Sequence, residues 1–183
     1  MIKNKRGNIG IILFFTLMLA IIIIGFIASG AIAILGIGGD AINDVATSIG
    51  VVEDTNVSEL SQNIVTPFNE VVQNLSWLAG VGYVCALIFS IVFVLGYRTT
   101  ANPIFIGLFF IFVIFIFLAS IVLSNSYEDM YSANDDIGAR LRDQTILSYM
   151  ILYSPAIVIL ISFISGIFLF AGKQNEFGGS TDV

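Results

Sequence analysis

The sequence predicts an all-α membrane protein, a four-transmembrane-helix bundle with short amphipathic helices in its first outer loop. Four stretches carry no charged side chain. Each is long enough to cross the hydrocarbon core of a bilayer as a helix, which takes about 20 residues. These stretches are 8–37, 71–97, 103–123 and 146–172. The composition agrees, because 57% hydrophobic and 11% charged residues lie outside the range of soluble domains. The segments between the stretches are too short for a separate soluble domain, so 1–183 is predicted to form a single integral membrane domain.

The basic residues predict the topology. Lys3, Lys5 and Arg6 directly precede the first stretch, and positive residues favour the cytoplasmic or interior side. Four crossings return the C-terminus to that side and place loops 38–70 and 124–145 outside. Eleven of the 13 acidic residues then lie outside. Because phosphate binding needs clusters of Lys and Arg, this acidic face predicts no nucleic-acid partner.

Glycines and a proline predict how the first outer loop is divided. Gly36, Gly38 and Gly39 are expected to end the first helix. A short amphipathic helix would follow, capped by Asp40 and ended by Gly50. A second would begin near Asn56, and Pro67, a residue tolerated in a first turn, would open the second membrane helix. The first short helix would present one apolar face, made of Ile42, Val45, Ala46 and Ile49.

Small residues at every fourth position predict the faces where membrane helices pack closely, because small side chains allow backbones to approach in lipid. Two such rows are expected to face each other, and the last helix adds a shorter one. The predicted helix-packing residues are Gly25, Ser29 and Ala33 in the first helix, Gly82, Ala86 and Ser90 in the second, and Ser162 and Gly166 in the fourth.

The third and fourth stretches differ in character. Phenylalanines surround the third, which predicts wide lipid contact and the most peripheral position of the four. In the second outer loop, Asn134 or Asp135 is expected to cap a helix that presents Ile137 and Leu141 and continues into the fourth span. Pro155 removes a backbone donor inside that span and predicts a kink.

The residues that carry chemistry are sparse. No Asp, Glu, Lys, Arg or His falls in the four stretches, whereas such residues mark proton relays and ion pathways. The chain has no His and a single cysteine, Cys85. We therefore expect no enzyme activity, no cofactor and no metal site. The acidic residues Glu128, Asp129, Asp135 and Asp136 are predicted to face a partner. Whether they bind a cation such as Ca²⁺ is left open by the sequence.

Two functions remain as hypotheses. The first is a non-enzymatic structural or accessory protein that packs into a larger membrane assembly, either a membrane complex of a cell or the internal membrane of a virion. Its partners would be the lipid bilayer and other membrane proteins or copies of itself. The alternative is an oligomeric pore or holin-like permeabiliser. A pore should show a polar stripe along one helix, and Ser148, Ser154, Ser162 and Ser165 make only a sparse one.

Overall fold

A computed structural model describes residues 5–52, 55–95 and 103–170 of the chain. Within these residues the fold is helical, apart from two strands of two residues each that pair antiparallel. Lys3 and the ends of the predicted second and fourth spans, at 96–97 and 171–172, lie outside the described residues. The elements in chain order are α1 (Lys5–Ile49), β1 (Val51–Val52), β2 (Thr55–Asn56), α2 (Val57–Leu95), α3 (Pro103–Tyr131), α4 (Asp136–Asp143), α5 (Thr145–Leu152) and α6 (Ser154–Phe170).

Three helical segments are long and apolar enough to cross a membrane, namely Gly10–Ile49, Gln62–Val94 and Ile104–Tyr131. Helices α5 and α6 pass the same test only as a pair, and the pair is bent by 71°. The described residues therefore hold three candidate spans, or four if the bent pair is one span. This fold is compatible with an integral membrane protein.

The predicted break in the first helix is wrong, because α1 continues through Gly36, Gly38 and Gly39 to Ile49. Each glycine costs a helix about 1 kcal/mol relative to alanine. Close neighbours account for two of them: a Cβ on Gly36 would lie 3.1 Å from the Arg140 side chain, and one on Gly39 would lie 2.6 Å from Asn69 Oδ1. The predicted end at Gly50 is confirmed, since Gly50 has a φ of +67° and its N–H donates to the Ala46 carbonyl at 3.2 Å.

The predicted helix start at Pro67 is also wrong, because α2 begins at Val57 and runs through the proline. The missing N–H of Pro67 leaves the carbonyl four residues earlier without its usual donor. Residues 62–64 and 66–68, around this position, are exposed. The first outer loop therefore contains extensions of the two long helices, joined by the β1–β2 turn, and no separate amphipathic helices within its described part.

The second loop is shorter than predicted, because α3 extends to Tyr131. The predicted cap is confirmed at Asp135, whose carboxylate accepts from the Gly138 N–H at 2.8 Å. Leu141 is fully buried, whereas Ile137 is 37% exposed. Helix α4 ends at Asp143, so it does not continue into the last span as expected.

The bend predicted at Pro155 is confirmed and lies at Tyr153, between α5 and α6. Proline cannot donate the backbone hydrogen bond that would continue α5. The Tyr153 N–H closes α5 by donating to the Tyr149 carbonyl at 2.9 Å. The Leu152 carbonyl accepts from the Ser124 hydroxyl at 2.6 Å, so a side chain on α3 satisfies a backbone acceptor freed at the break.

The chain divides into two compact units. The first consists of Met1–Ile22, Cys85–Val122 and Ser154–Val183, and the second of Ile23–Val84 and Leu123–Tyr153. Helix α3 is the least buried of the three long spans, with 17% of its most apolar window buried against 39% for α1 and 28% for α2. This ranking agrees with the predicted lipid exposure of the phenylalanine-rich helix.

Candidate functional site

Four buried polar side chains meet in the second unit, and we call them the polar cluster: Ser29, Tyr127, Gln144 and Ser148. They come from α1, α3, the α4–α5 junction and α5. Each is at most 2% exposed. A buried polar group is costly unless it is hydrogen-bonded, so the partners of these four groups decide whether the cluster stabilises the fold.

Gln144 is bound at both ends of its amide by one residue. Its Nε2 donates to the Ser29 carbonyl at 2.9 Å, and its Oε1 accepts from the Ser29 hydroxyl at 2.7 Å. Because only the amide nitrogen of Gln144 can donate to the Ser29 carbonyl, this bond determines which end of the amide is the nitrogen. The backbone of Gln144 is also paired, because its N–H donates to Leu141 at 3.2 Å and its carbonyl accepts from Ser148 at 2.9 Å. Gln144 therefore joins α1 to the junction of α4 and α5.

Tyr127 connects the remaining members. Its hydroxyl lies 2.7 Å from the Ser29 hydroxyl and 2.7 Å from the Ser148 hydroxyl. The Ser148 hydroxyl donates to the Leu141 carbonyl at 2.5 Å. Since Ser29 and Ser148 give their protons to Gln144 and Leu141, the single phenolic proton of Tyr127 is left to bond one of the two serines at a time.

A pocket of about 650 Å³ lies beside the cluster, within the same unit, and Gln144 belongs to both. Two of its lining residues, Ile32 and Val72, are apolar and buried, at 5% and 8% exposed. Most of the others come from α2 and from around the α4–α5 junction. The lining residues are Ile32, Thr66, Asn69, Glu70, Val72, Gln73, Ser76, Trp77, Arg140, Asp143, Gln144, Thr145 and Ile146.

The charges of the pocket are unequal. Arg140 forms an ion pair with Asp40 of α1, and its guanidinium lies 4.0 Å from the Asp143 carboxylate. Glu70 and Asp143 also line the pocket and are exposed. The Arg140 guanidinium is thus paired with two carboxylates, those of Asp40 and Asp143. The Oδ1 atom of Asn69 is buried and has no hydrogen-bond donor among the described residues.

The predicted packing residues of α1 are all buried in the structure. Gly25 lies against the Tyr83 ring, so closely that a Cβ would overlap it. Ser29 belongs to the polar cluster, and Ala33 is 1% exposed. In α2, by contrast, Gly82 is exposed, with no atom within 4 Å of a Cβ position. The contact expected at Gly82 is made by Tyr83, one residue further along the helix.

The other predicted packing residues differ in burial. Ala86 is half-buried, whereas Ser90 is fully buried and its hydroxyl donates to the Leu87 carbonyl at 2.7 Å. In α6, Ser162 is 2% exposed, and a Cβ on Gly166 would lie 3.2 Å from the Phe109 ring. Whether any of these positions packs against a second chain stays a prediction.

The predicted partner-facing residues Glu128, Asp129, Asp135 and Asp136 are all exposed. Asp135 is used locally, as the N-cap of α4. Among the described residues, no group of three or more His, Cys, Asp or Glu side chains could hold a metal ion. The structure therefore does not bring these carboxylates together as a cation site, and their role toward a partner stays a prediction.

Of the polar cluster, the sequence indicated Ser29 as a packing residue and Ser148 as part of a sparse polar stripe, but not Tyr127 or Gln144. Gln144 looked like a loop residue between the second outer helix and the fourth span, and Tyr127 like a residue of an acidic loop. The available signal was the helix predicted to begin at Asn134 or Asp135 and to present Leu141, because a buried Leu141 places Gln144, three residues later, on the same side of that helix. The hydroxyl that bonds to the Gln144 amide is determined by the distance between α1 and α3. Local sequence patterns do not predict that distance.

Comparisons with protein-family models, with curated proteins and with solved structures found no match to this chain.

Proposed function

We propose that the chain is a non-enzymatic structural or accessory protein that crosses the membrane four times and packs into a larger membrane assembly. In this proposal the bent pair α5–α6 forms the fourth span, and both termini lie on the cytoplasmic or interior side. The assembly is a cellular membrane complex or the internal membrane of a virion.

One observation carries the proposal, an apolar face on the last turns of α1. Ile42, Val45 and Ile49 are 59%, 59% and 51% exposed. With Ala41 and Ala46 they line a shallow concavity of about 390 Å³. We call these five residues the α1 patch. Three large apolar side chains on one face of a helix are a common mark of a protein–protein contact.

The length of α1 supports a position of this patch outside the hydrocarbon core. The segment Gly10–Ile49 has 40 residues, which span about 60 Å at 1.5 Å per residue. A bilayer core is about 30 Å thick, so roughly half of the segment extends beyond it. Asp40 and Asp44 mark the end that leaves the lipid, because charged side chains avoid hydrocarbon. In this placement the α1 patch lies beyond the reach of lipid tails, which supports a partner protein as its cover.

Gentle extraction of the protein from its native source, followed by mass measurement of the intact complex, tests this proposal. We expect a particle that contains other proteins. Ile42→Asp should release the chain from it, because a carboxylate in the α1 patch opposes burial. Thr47→Asp is the matched control, since Thr47 is exposed on the opposite face of α1. A wild-type chain that is extracted only as a monomer, or a particle that keeps the Ile42→Asp variant, contradicts the proposal.

The alternative is an oligomeric pore, and one observation favours it. Ser154, Ser162 and Ser165 lie on the buried face of α6, at most 2% exposed. Their hydroxyls have no hydrogen-bond partner among the described residues. Unpaired hydroxyls in a membrane interior are costly, and water in a path along α6 would satisfy them. Dye or ion flux from liposomes tests the pore, and liposomes that stay tight at high protein density exclude it.

A further inference from the structure

Helix α2 has a second apolar face besides the one that is buried. The buried face includes Val72, Tyr83 and Leu87, which are 8%, 5% and 6% exposed. Another row of apolar residues recurs along the same helix at alternating steps of four and three residues, and every member of this row is exposed. We call the row the α2 seam: Ile64, Phe68, Val71, Leu75, Leu78, Gly82, Cys85, Phe89 and Val92.

The spacing of the α2 seam is that of a heptad repeat, in which positions a and d are apolar. Such a row stays on one side of a helix when the helix supercoils around a helical partner. The row continues without a polar or charged residue for about four heptads, a length at which the pattern indicates a coiled coil. Among the large apolar side chains described as exposed on α2, only Trp77 and Ile88 lie off the seam. Lipid tails cover an apolar surface of any pattern, so this spacing favours a helix as the cover.

The N-terminal end of the α2 seam extends beyond the hydrocarbon core. The candidate span Gln62–Val94 has 33 residues, which make about 50 Å of helix, whereas the core is about 30 Å thick. Glu70 marks the end that leaves the lipid, because charged side chains avoid hydrocarbon. Ile64 and Phe68 precede it and are 63% and 37% exposed. Lipid tails do not reach these two side chains in this placement, which supports a protein as their cover.

Charge and area make a second copy of this chain the partner that fits the seam. The chain has a net charge of −6, and a net charge of one sign opposes the association of identical copies. The α2 seam avoids this repulsion, because Glu70 is the only charged residue from Gln62 to Val94 and lies at heptad position c. The large side chains of the seam expose on the order of 700 Å² per chain, close to the about 800 Å² that each partner buries in an interface of standard size.

We propose that two copies of this chain dimerise in the membrane through the α2 seam. Copies inserted in the same orientation pair as parallel helices, and a two-fold axis along the membrane normal brings the same seam together from both. Gly82 lies near the middle of the seam with no atom within 4 Å of its Cβ position, which lets the two backbones approach. Cys85 then faces Cys85 of the other copy. The α1 patch takes no part in this contact, so the inference does not rest on the proposed function.

Cysteine crosslinking tests the dimer. The full-length chain is reconstituted into liposomes at low protein density, with no other protein present, and oxidised. Cys85 is the only cysteine, so the expected covalent dimer, which a reductant reverses, reports on this position alone. In a Cys85→Ser background, Leu78→Cys and Trp77→Cys form a matched pair, because the two residues are adjacent and are 60% and 62% exposed.

Leu78 lies in the seam and Trp77 lies off it. We expect Leu78→Cys to give about tenfold more covalent dimer than Trp77→Cys, since a disulfide requires Cα atoms within about 7 Å of each other. Equal yields at the two positions overturn the inference, and so does the absence of a covalent dimer at Cys85 and at Leu78→Cys.

A second matched pair tests the end of the seam outside the lipid. Ile64→Asp places two carboxylates opposite each other in the dimer and should lower the Cys85 crosslinking yield about tenfold, because like charges across an interface repel. Asn63→Asp adds the same charge at the adjacent exposed residue, off the seam, and should leave the yield unchanged. Unchanged circular dichroism shows that both variants fold.

An Ile64→Asp variant that crosslinks like the wild type overturns the inference. In native membranes, a Leu78→Cys chain that crosslinks to a different protein assigns the seam to that protein and also overturns it. Because the liposomes contain this chain alone, the dimer is detected or excluded independently of the larger particle expected from the α1 patch.

Discussion

The contacts inside the first unit differ in kind from the contacts inside the second unit. In the first unit, Phe15 stacks on Phe112 with ring centroids 5.4 Å apart, and Phe109 meets Phe170 edge-on at 5.5 Å. The Ser90 hydroxyl, besides its bond to Leu87, lies 3.6 Å from the Met18 sulfur. In the second unit, the polar cluster joins three helices through side-chain hydrogen bonds of 2.7–2.9 Å.

This difference indicates which interactions specify one fold when the surroundings are lipid. Lipid tails are as apolar as Phe, so moving an aromatic ring from lipid into protein yields only packing energy. A polar group moved into hydrocarbon without a partner costs much more. The aromatic contacts of the first unit therefore tolerate small shifts, whereas the hydrogen bonds of the second unit define one arrangement of α1, α3 and α5.

The largest expected effect comes from Gln144→Ala. This change leaves the Ser29 carbonyl and hydroxyl without Gln144 as partner, and we expect a loss of about 3 kcal/mol in the free energy of unfolding. Denaturation in mixed micelles measures it. The control is Gln62→Ala at an exposed position of α2, which should change stability by less than about 0.5 kcal/mol. Equal effects of both variants would show that the polar cluster does not stabilise the second unit.

A second comparison concerns two glycines. Gly25→Leu must displace the Tyr83 ring, and overpacking of this kind costs about 2 kcal/mol. Gly82→Leu meets open space and should leave the unfolding free energy of the isolated chain nearly unchanged. Thermal unfolding of both variants in detergent tests this. If Gly82→Leu destabilises the monomer as strongly, the assignment of the contact to Tyr83 is incorrect.

Phe109→Ala tests how much the aromatic contacts of the first unit contribute to stability. In water the loss of a buried Phe costs about 3–5 kcal/mol, but in lipid the transfer part of that cost is absent. We expect about 1.5 kcal/mol, from the lost contacts with Phe15, Phe170 and Gly166. Phe115→Ala, which is 61% exposed, is the control and should cost little in the same assay. A cost for Phe109→Ala above that of Gln144→Ala would reverse the ranking of the two units.

The smallest effect is expected for Tyr127→Phe. Ser29 and Ser148 keep Gln144 and Leu141 as their acceptors, so the variant loses one net hydrogen bond. The expected loss is about 1 kcal/mol, measured by the same micelle denaturation. Tyr149→Phe is the control, because Tyr149 is 50% exposed and lies outside the polar cluster. A loss near 3 kcal/mol would show that the Tyr127 hydroxyl contributes more to stability than one net hydrogen bond.

The sequence predicted features that depend on nearby residues. Uncharged stretches predicted the candidate spans, and Asp135, Gly50 and Pro155 predicted a cap, a helix end and a bend that the structure confirms. It failed where a distant neighbour decides the local structure. Gly36 stays helical beside Arg140, which lies more than a hundred residues away in the chain. Helix propensity depends on local sequence and does not predict such a distant contact. For the same reason the pairing of Ser29 with Gln144 was not predicted.

The shared proton of Tyr127 has a consequence for the electrical behaviour of the second unit. Rotating one phenolic O–H switches its bond between Ser29 and Ser148 and reverses a dipole, while every helix stays in place. Gln144 belongs both to this cluster and to the wall of the pocket. We therefore expect this O–H to be the part of the cluster that reorients in an electric field, as the O–H of a polar solvent molecule does.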